Sequence, residues 1–245
     1  MEVSVRPRPV LSLLAALGAL AALVAAPGVA AAATCGNYYF KHFPTSGSIG
    51  AWCSNNNSWG VSAPGGTGFV AMVDGEDWGT WSPGTDLPKK LSSISSSNST
   101  WFSQQSSPAA GAGYDATYDI FIDPTYAPTN RNSRYEIMIW VGHRNPNQPL
   151  SDHYNSSGAV PYATNVSLGG RTFTVYLYHW SGGGITMSYV DNANPGWFSG
   201  SLTPFFNYGV AHGWYNNNDY LTSVMAGWEF GRGSYDAVSW GVAGL

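Results

Sequence analysis

An all-β domain is what this 245-residue sequence predicts, on three observations. Charged residues are scarce, with 10 Lys+Arg and 14 Asp+Glu, while aromatics are dense, with 11 Trp, 15 Tyr and 10 Phe. Turn-formers are dense too, 30 Gly and 15 Pro, and they cut the chain into short apolar stretches that alternate with period two. Scarce charge with many aromatics is the reverse of a disordered chain, and the Gly/Pro density argues against a helix bundle or coiled coil. A formal net charge of −4 provides no basic stripe for phosphates, so nucleic acid is not an expected partner. The expected partner is neutral.

Taken in order, the chain opens with a secretory leader, residues 1–33. Arg6 and Arg8 form a positive n-region, Val10 to Ala26 is apolar, and Ala31-Ala32-Ala33 supplies small residues for cleavage. A membrane anchor is the competing reading, but the apolar run falls short of the roughly 20 residues a span needs and ends at Pro27-Gly28. Residues 34–245 then form one domain, exported to the extracellular space, with no membrane contact after cleavage and expected to act as a monomer. Its two cysteines, Cys35 and Cys53, meet an oxidising compartment and are expected to pair, pinning the first strand.

From Cys35 to Leu87 short β-like runs such as Gly68 to Val73 lie among turn residues, and Asp74, Glu76, Asp77 and Trp78 read as a solvated acidic turn. The polar run from Ser92 to Ser107 reads as a solvated strand or an exposed connection. Tyr114–Asp123 alternates strictly: Tyr114, Ala116, Tyr118, Ile120 and Ile122 form one face, Asp115, Thr117, Asp119, Phe121 and Asp123 the other. Arg134–Val141 sets Tyr135, Ile137, Ile139 and Val141 against Arg134, Glu136, Met138 and Trp140. Further strands are expected at Asn165–Leu168, Thr172–Tyr178, Thr186–Val190 and Ala237–Val242. One helix is expected, Leu202 to His212, with Pro204 in its first turn and Gly213 as its stop. In the strand Thr222–Phe230, Val224, Ala226, Trp228 and Phe230 alternate with Ser223, Met225, Gly227 and Glu229. A glycine at 227 inside a strand points to the close approach of a ligand or another backbone.

After the leader only three glutamates remain, Glu76, Glu136 and Glu229. Glu136 and Glu229 sit in apolar strands on faces shared with Met, Trp or Gly, where an unpaired carboxylate costs several kcal/mol. Such surroundings displace a carboxyl pKa, as acid/base chemistry requires. Two carboxylates on different strands facing an aromatic cleft are what glycosidic hydrolysis uses, and indole and phenol rings suit the apolar faces of sugars. The same residues also fit a purely structural reading, with rings filling a β core and each glutamate hydrogen-bonded. Rival chemistries leave no trace. The five histidines show neither H-E-x-x-H nor zinc spacing, no G-x-S-x-G elbow exists, and no phosphate-binding glycine loop appears. No metal or other cofactor is implied. N-x-[ST] acceptors occur at Asn56, Asn98, Asn155 and Asn165.

Tyr135-Glu136-Ile137-Met138-Ile139-Trp140 and Tyr220 to Glu229, ending Ala226-Gly227-Trp228-Glu229, resemble the two catalytic strands of glycoside hydrolase family 12 endoglucanases. Asn56-Asn57-Ser58-Trp59-Gly60, Ser82 to Pro88, Tyr118-Asp119-Ile120 and Gln148-Pro149-Leu150 extend the resemblance in matching order over most of the domain. It implies a β-jelly roll of two stacked antiparallel sheets with a curved substrate cleft and one short helix outside. It also implies retaining hydrolysis of internal β-1,4-glucosidic bonds in cellulose, mixed-linkage β-glucan or xyloglucan. Residue by residue, Glu136 corresponds to the nucleophile, Glu229 to the general acid/base and Asp119 to the aspartate that bonds the nucleophile. Asn57 and Trp59 correspond to sugar-contacting positions, and Met138 and Trp140 to the cleft floor. The sequence departs from the pattern at Phe230-Gly231, where a proline usually follows the acid/base, and at Leu150-Ser151; these departures bear on the leaving-group side of the cleft and on substrate preference. A glycan-binding protein without catalysis on the same fold is the alternative.

Overall fold

The computed structural model describes residues 33–77, 79–126 and 134–245. The chain runs β1 (Ala33–Cys35), β2 (Tyr38–Ser46), β3 (Gly50–Asn55), β4 (Ser58–Ala63), β5 (Thr67–Asp77), β6 (Thr80–Trp81) and β7 (Lys89–Lys90). It continues through β8 (Ser99–Pro108), β9 (Tyr114–Asp123), β10 (Tyr135–Arg144), β11 (Tyr154–Asn155), β12 (Gly158–Ala159), β13 (Ala163–Leu168), β14 (Arg171–His179) and β15 (Ile185–Asp191). It closes with β16 (Trp197–Gly200), α1 (Thr203–Ala211), β17 (Tyr220–Phe230) and β18 (Gly233–Ala243).

Two sheets carry the fold. The larger has the order β1-β2-β5-β17-β9-β10-β15-β14-β13, with β6 and β7 paired at its margin; the smaller is β16-β8-β18-β4-β3. The expected β-sandwich is therefore present, in the jelly-roll arrangement of two stacked sheets. Among the described residues its pairs are antiparallel with one exception, the parallel pair β10–β15. The period-two patterns hold. Tyr118, Ile120, Ile122, Ile137, Ile139, Val224, Ala226 and Trp228 are all fully buried between the sheets. They meet the inward residues of the smaller sheet, Trp59, Val61, Phe102, Tyr235 and Trp240. The centre of the core is aromatic: Trp59 and Trp228 meet edge to face at 5.1 Å and Phe102 and Trp228 at 5.5 Å, the geometry that ring quadrupoles favour.

The polar run near Ser92 resolves into one 3₁₀ turn, Leu91–Ser93, and the full strand β8, so of the two expected forms the strand is the correct one. The helix lies where Pro204 and Gly213 place it. Gly213 takes φ +70°, and the Gly213 and Trp214 amides donate to the carbonyls of Val210 and Gly209, closing a Schellman cap. The acidic segment at 74–77 is not a solvated turn: Glu76 and Asp77 are buried at the end of β5, Asp77 pairs with Lys41, and Glu76 accepts the Gly79 amide. Trp78 lies outside the described residues, as does nearly all of the expected leader. Among the described residues no helix is long and apolar enough to cross a membrane.

Cys35 and Cys53 are bonded. Because Cys35 ends β1 of the larger sheet and Cys53 sits in β3 of the smaller, the bond ties the edges of the two sheets together rather than merely pinning the first strand. Replacing both cysteines by serine is expected to cost about 3 kcal/mol, from the unfolded-chain entropy that the bond removes. At this chain length that is about 6–12 °C in Tm, read by thermal unfolding under non-reducing conditions.

Candidate active site

The faces of β17, β9 and β10 that point away from the core line one concave surface. Cross-strand register sets its rows. Glu229 stands opposite Asp115; Met225, Asp119 and Met138 form one row; and Phe121 lies between Ser223 and Glu136. Asp119 thus occupies a level between the two glutamates, on the strand that separates them. On the β5 side the surface continues as a small apolar patch of Phe69, Ala71, Val73 and Met225, with Tyr39, Phe43 and Phe121 packed against it. On the other side a groove of about 420 Å³ opens beside Trp140, lined also by His143, Asn147, Gln148, Tyr176 and Val190.

The local sequence explains these positions. Each glutamate follows or precedes a residue locked into the core, Ile137 after Glu136 and Trp228 before Glu229, so pleating alone turns the carboxylate outward. Trp228 is held further by its indole N–H, which donates to Ser106 Oγ at 3.1 Å and Gln104 Oε1 at 3.3 Å on β8. Gly227 has its own reason. A Cβ there would meet the Val70 carbonyl oxygen at 1.9 Å, so of the two expectations for this glycine it is the neighbouring backbone that excludes a side chain.

Burial sets the electrostatics. The Glu229 carboxyl is raised from 4.5 to about 7, first by burial and then by the negative charge of Glu136. Burial also raises Glu136, while the Thr186 hydroxyl, donating to its Oε2 at 2.8 Å, pulls it back. Asp119 is lifted well above the ordinary carboxylate range by burial and by the charges of Glu136, Glu229 and Asp115, and its Oδ1 has no hydrogen-bond partner. Asp115 is lifted likewise by burial and by Glu229; Asn147 Nδ2 donates to its Oδ2 at 3.1 Å. A site so arranged favours protonated carboxyl groups, and it sets Glu136, with a hydrogen-bond donor that eases its ionisation, on one face with Glu229, which has none.

Of the residues singled out in the sequence, Glu136, Glu229, Asp119, Met138 and Trp140 come together here. Asn57 and Trp59 do not. Trp59 has no exposed surface: its ring lies between the sheets against Phe40, Phe102 and Trp228, because β4 turns this residue toward the core. Asn57 is exposed in the β3–β4 turn at the edge of the smaller sheet, where its side-chain oxygen accepts the Trp240 amide at 3.4 Å. Sequence reasoning missed Thr186, Asn147 and Trp180, whose indole donates to Thr186 Oγ1 at 2.9 Å. Asp115 was visible only as part of an acidic face. Among the described residues no group of His, Cys, Asp and Glu is arranged to hold a metal ion.

A two-sheet jelly roll whose concave face carries paired, electrostatically coupled carboxyl groups beside aromatic and methionine side chains has the make-up of a glycoside hydrolase. The chain belongs to glycosyl hydrolase family 12, whose model matches residues 54–243. It is similar to the xyloglucan-specific endo-β-1,4-glucanase A of Emericella nidulans, 36% identical over 145 residues, which are 59% of this chain and 56% of that protein. The chain thus spans little more than half the length of that relative. The enzyme of the same name from Aspergillus aculeatus is 32% identical over 201 residues, covering 73% of this chain and 78% of that one. Among solved structures, the native endo-1,4-β-glucanase CelB2, a cellulase, superposes with a TM-score of 0.71 at 28% identity, over 86% of this chain and 94% of that one.

The raised Glu229 carboxyl has a stability consequence. Its proton is kept in the fold up to about pH 7 but released near 4.5 when unfolded, so the stability it contributes is complete below pH 4.5 and is lost as pH rises through 7. Glu229→Gln is therefore expected to match the parent's Tm at pH 4 and to exceed it at pH 8, by about 4–8 °C for an effect on the order of 2 kcal/mol. An equal offset at both pH values, measured by calorimetry, would contradict the raised carboxyl.

Proposed function

We propose that this protein is a secreted, retaining endo-β-1,4-glucanase, with Glu136 as nucleophile and Glu229 as general acid/base. The observation that carries the reading is the placement of these two carboxyl groups on one concave surface, with Asp119 between their levels and each held by a core residue next to it in the chain. The family and the names of the relatives support the substrate class. The names of the sequence relatives favour xyloglucan, ahead of mixed-linkage β-glucan and cellulose.

In the first step a Glu136 carboxylate oxygen attacks the anomeric carbon, forming a glycosyl ester, while the Glu229 proton passes to the departing glycosidic oxygen. Water then enters; Glu229, now ionised, takes its proton as the oxygen of water attacks the same carbon, and Glu136 leaves as the carboxylate. The anomeric carbon is inverted twice, so its configuration is retained. Asp119, whose carboxyl is raised by burial and by the charges of Glu136, Glu229 and Asp115, favours its neutral form and so limits the negative charge in the cleft. Met138 and Trp140 form the floor on which the sugar at the reaction centre rests, and the open groove beside Trp140 admits an internal stretch of polymer. Export through the leader at residues 1–33 would bring the enzyme to a glucan too large to enter a cell. A binder without catalysis is the less favoured reading, because it has no use for two buried carboxyl groups at one bond.

The test is release of reducing ends from xyloglucan, barley β-glucan and carboxymethylcellulose, with NMR of the first-formed anomer. The β-anomer should form first, and Glu136→Gln and Glu229→Gln should each lower turnover by at least about a thousandfold with unchanged circular dichroism. A folded Glu136→Gln protein with near-parental activity would overturn the assignment.

A further inference from the structure

Glu136 is met by a hydrogen-bond chain from the parallel strand pair β10–β15. Register places Thr186 of β15 directly opposite Glu136, and Thr186 has no exposed surface. Its hydroxyl donates to Glu136 Oε2 at 2.8 Å and accepts the Trp180 indole N–H at 2.9 Å. An indole nitrogen only donates, so the threonine oxygen must accept from it, and the single hydroxyl proton is then aimed at the glutamate. The hydroxyl has no second orientation that satisfies both neighbours.

The β14–β15 hairpin fixes the donor. The Trp180 amide donates to the Gly184 carbonyl at 2.8 Å and the Gly183 amide to the Trp180 carbonyl at 2.9 Å. Gly183 takes φ +85°, and a Cβ on Gly184 would press on the Arg134 carbonyl oxygen at 2.9 Å, so this turn requires its glycines. The Tyr178 ring holds the indole edge to face at 4.7 Å.

We propose that Trp180 and Thr186 are positioning residues of the reaction, a two-bond relay that holds Glu136 by Oε2 and leaves Oε1 as the attacking oxygen. The inference rests on Glu136 being the nucleophile. The relay acts twice. Before attack it fixes the carboxylate plane, and when water releases the sugar it supplies a waiting donor to the re-forming carboxylate. A charge-assisted bond in a buried site is worth more than a neutral one, and losing it raises the carboxyl pKa. The other titratable groups on the same face are Asp115, Asp119 and Asp123 on β9, Glu229 on β17, His143 on β10, and Tyr176 and Tyr178 on β14; none of these is altered by substitution at 180 or 186.

The experiment compares Thr186→Val, Thr186→Ser, Trp180→Phe and Glu136→Gln in the full domain, on xyloglucan and barley β-glucan, with kcat and KM across pH and Tm for each. Thr186→Val, which keeps the shape and loses the hydroxyl, is expected to lower kcat about tenfold with no rise in KM, and to move the acid limb of kcat/KM to higher pH. Thr186→Ser should restore both to within about twofold, and Trp180→Phe should shift the acid limb in the same direction with a loss of about threefold. A lowered Tm with unmoved kcat and acid limb would show a merely structural threonine and overturn the proposal. So would a Thr186→Val protein indistinguishable from the parent while Glu136→Gln is inactive, whereas an active Glu136→Gln would remove the nucleophile reading on which the relay depends.

Discussion

Trp228 and Glu229 are neighbours in the chain and point to opposite sides of one sheet, and the whole site depends on that opposition. The indole is sealed between the sheets and bonded to Ser106 and Gln104 of the opposing layer, so β17 cannot slip by one residue without exposing a tryptophan and burying a carboxylate in the core. The same constraint acts in β10, where Ile137, Ile139 and Val141 lock the strand. It acts also in β9, where Tyr118 and Ile120 flank Asp119. The sandwich core is thus the device that aims the cleft. Its edge-to-face rings on β17 and β9 and the aliphatic side chains of β10 fix three adjacent strands in register, and the register fixes which carboxyl groups face one another.

What the core makes possible, electrostatics makes costly. Four carboxyl groups, Glu136, Glu229, Asp119 and Asp115, share a concave face where burial raises all of them and the charges of neighbouring carboxylates raise Glu229, Asp119 and Asp115 further. Their differences come from small neutral donors. Thr186 draws Glu136 toward the ionised form, Asn147 does the same for one oxygen of Asp115, and Glu229 receives no such relief beyond its exposure to the cleft. Which carboxyl group is eased toward its ionised form thus follows from who has a donor rather than from distance alone. This arrangement opposes stability at neutral pH, and the tightly packed core and the bond between sheet edges offset it.

The central strands were legible because alternation is strict where one face is dry and the other is not. Tyr114–Asp123 could be assigned residue by residue, and Glu136 and Glu229 stood out because a carboxylate is so rarely placed among Met, Trp and Gly. Trp59 misled for a physical reason. A tryptophan between Ser58 and Gly60 suits a sugar platform and a sandwich core equally, and only the pairing of β4 with β18 decides that it faces inward. Glu76 and Asp77 looked solvated because their partners, Lys41 and the Gly79 amide, lie on another strand or on the backbone. Thr186 and Asn147 carry no signature at all. A neutral hydroxyl or amide gains meaning from the carboxylate it faces, and that meeting is made by a parallel pairing across 50 residues of chain and by a loop returning to β9.

The departure after Glu229 can be placed by the same logic. Phe230 alternates to the core side, 4% exposed, where its ring meets Tyr235 at 5.3 Å, so any effect of this change on the cleft acts through the backbone rather than through the ring. Its backbone sits in a central strand, opposite Gly68 of β5 and Tyr114 of β9, a position where proline would remove a ladder donor. With phenylalanine there, β17 remains paired on both sides through and beyond Glu229, and the Gly231 amide then donates to the Gly113 carbonyl at 2.8 Å. The Glu229 carbonyl lies 3.5 Å from the Asn147 amide that also holds Asp115, so the loop bordering the groove beside Trp140 is joined to the backbone of Glu229. The consequence of the change is therefore one of rigidity. It fixes the strand end that carries Glu229, and it leaves the shape of the groove beside Trp140 to the loop around Asn147 and Gln148.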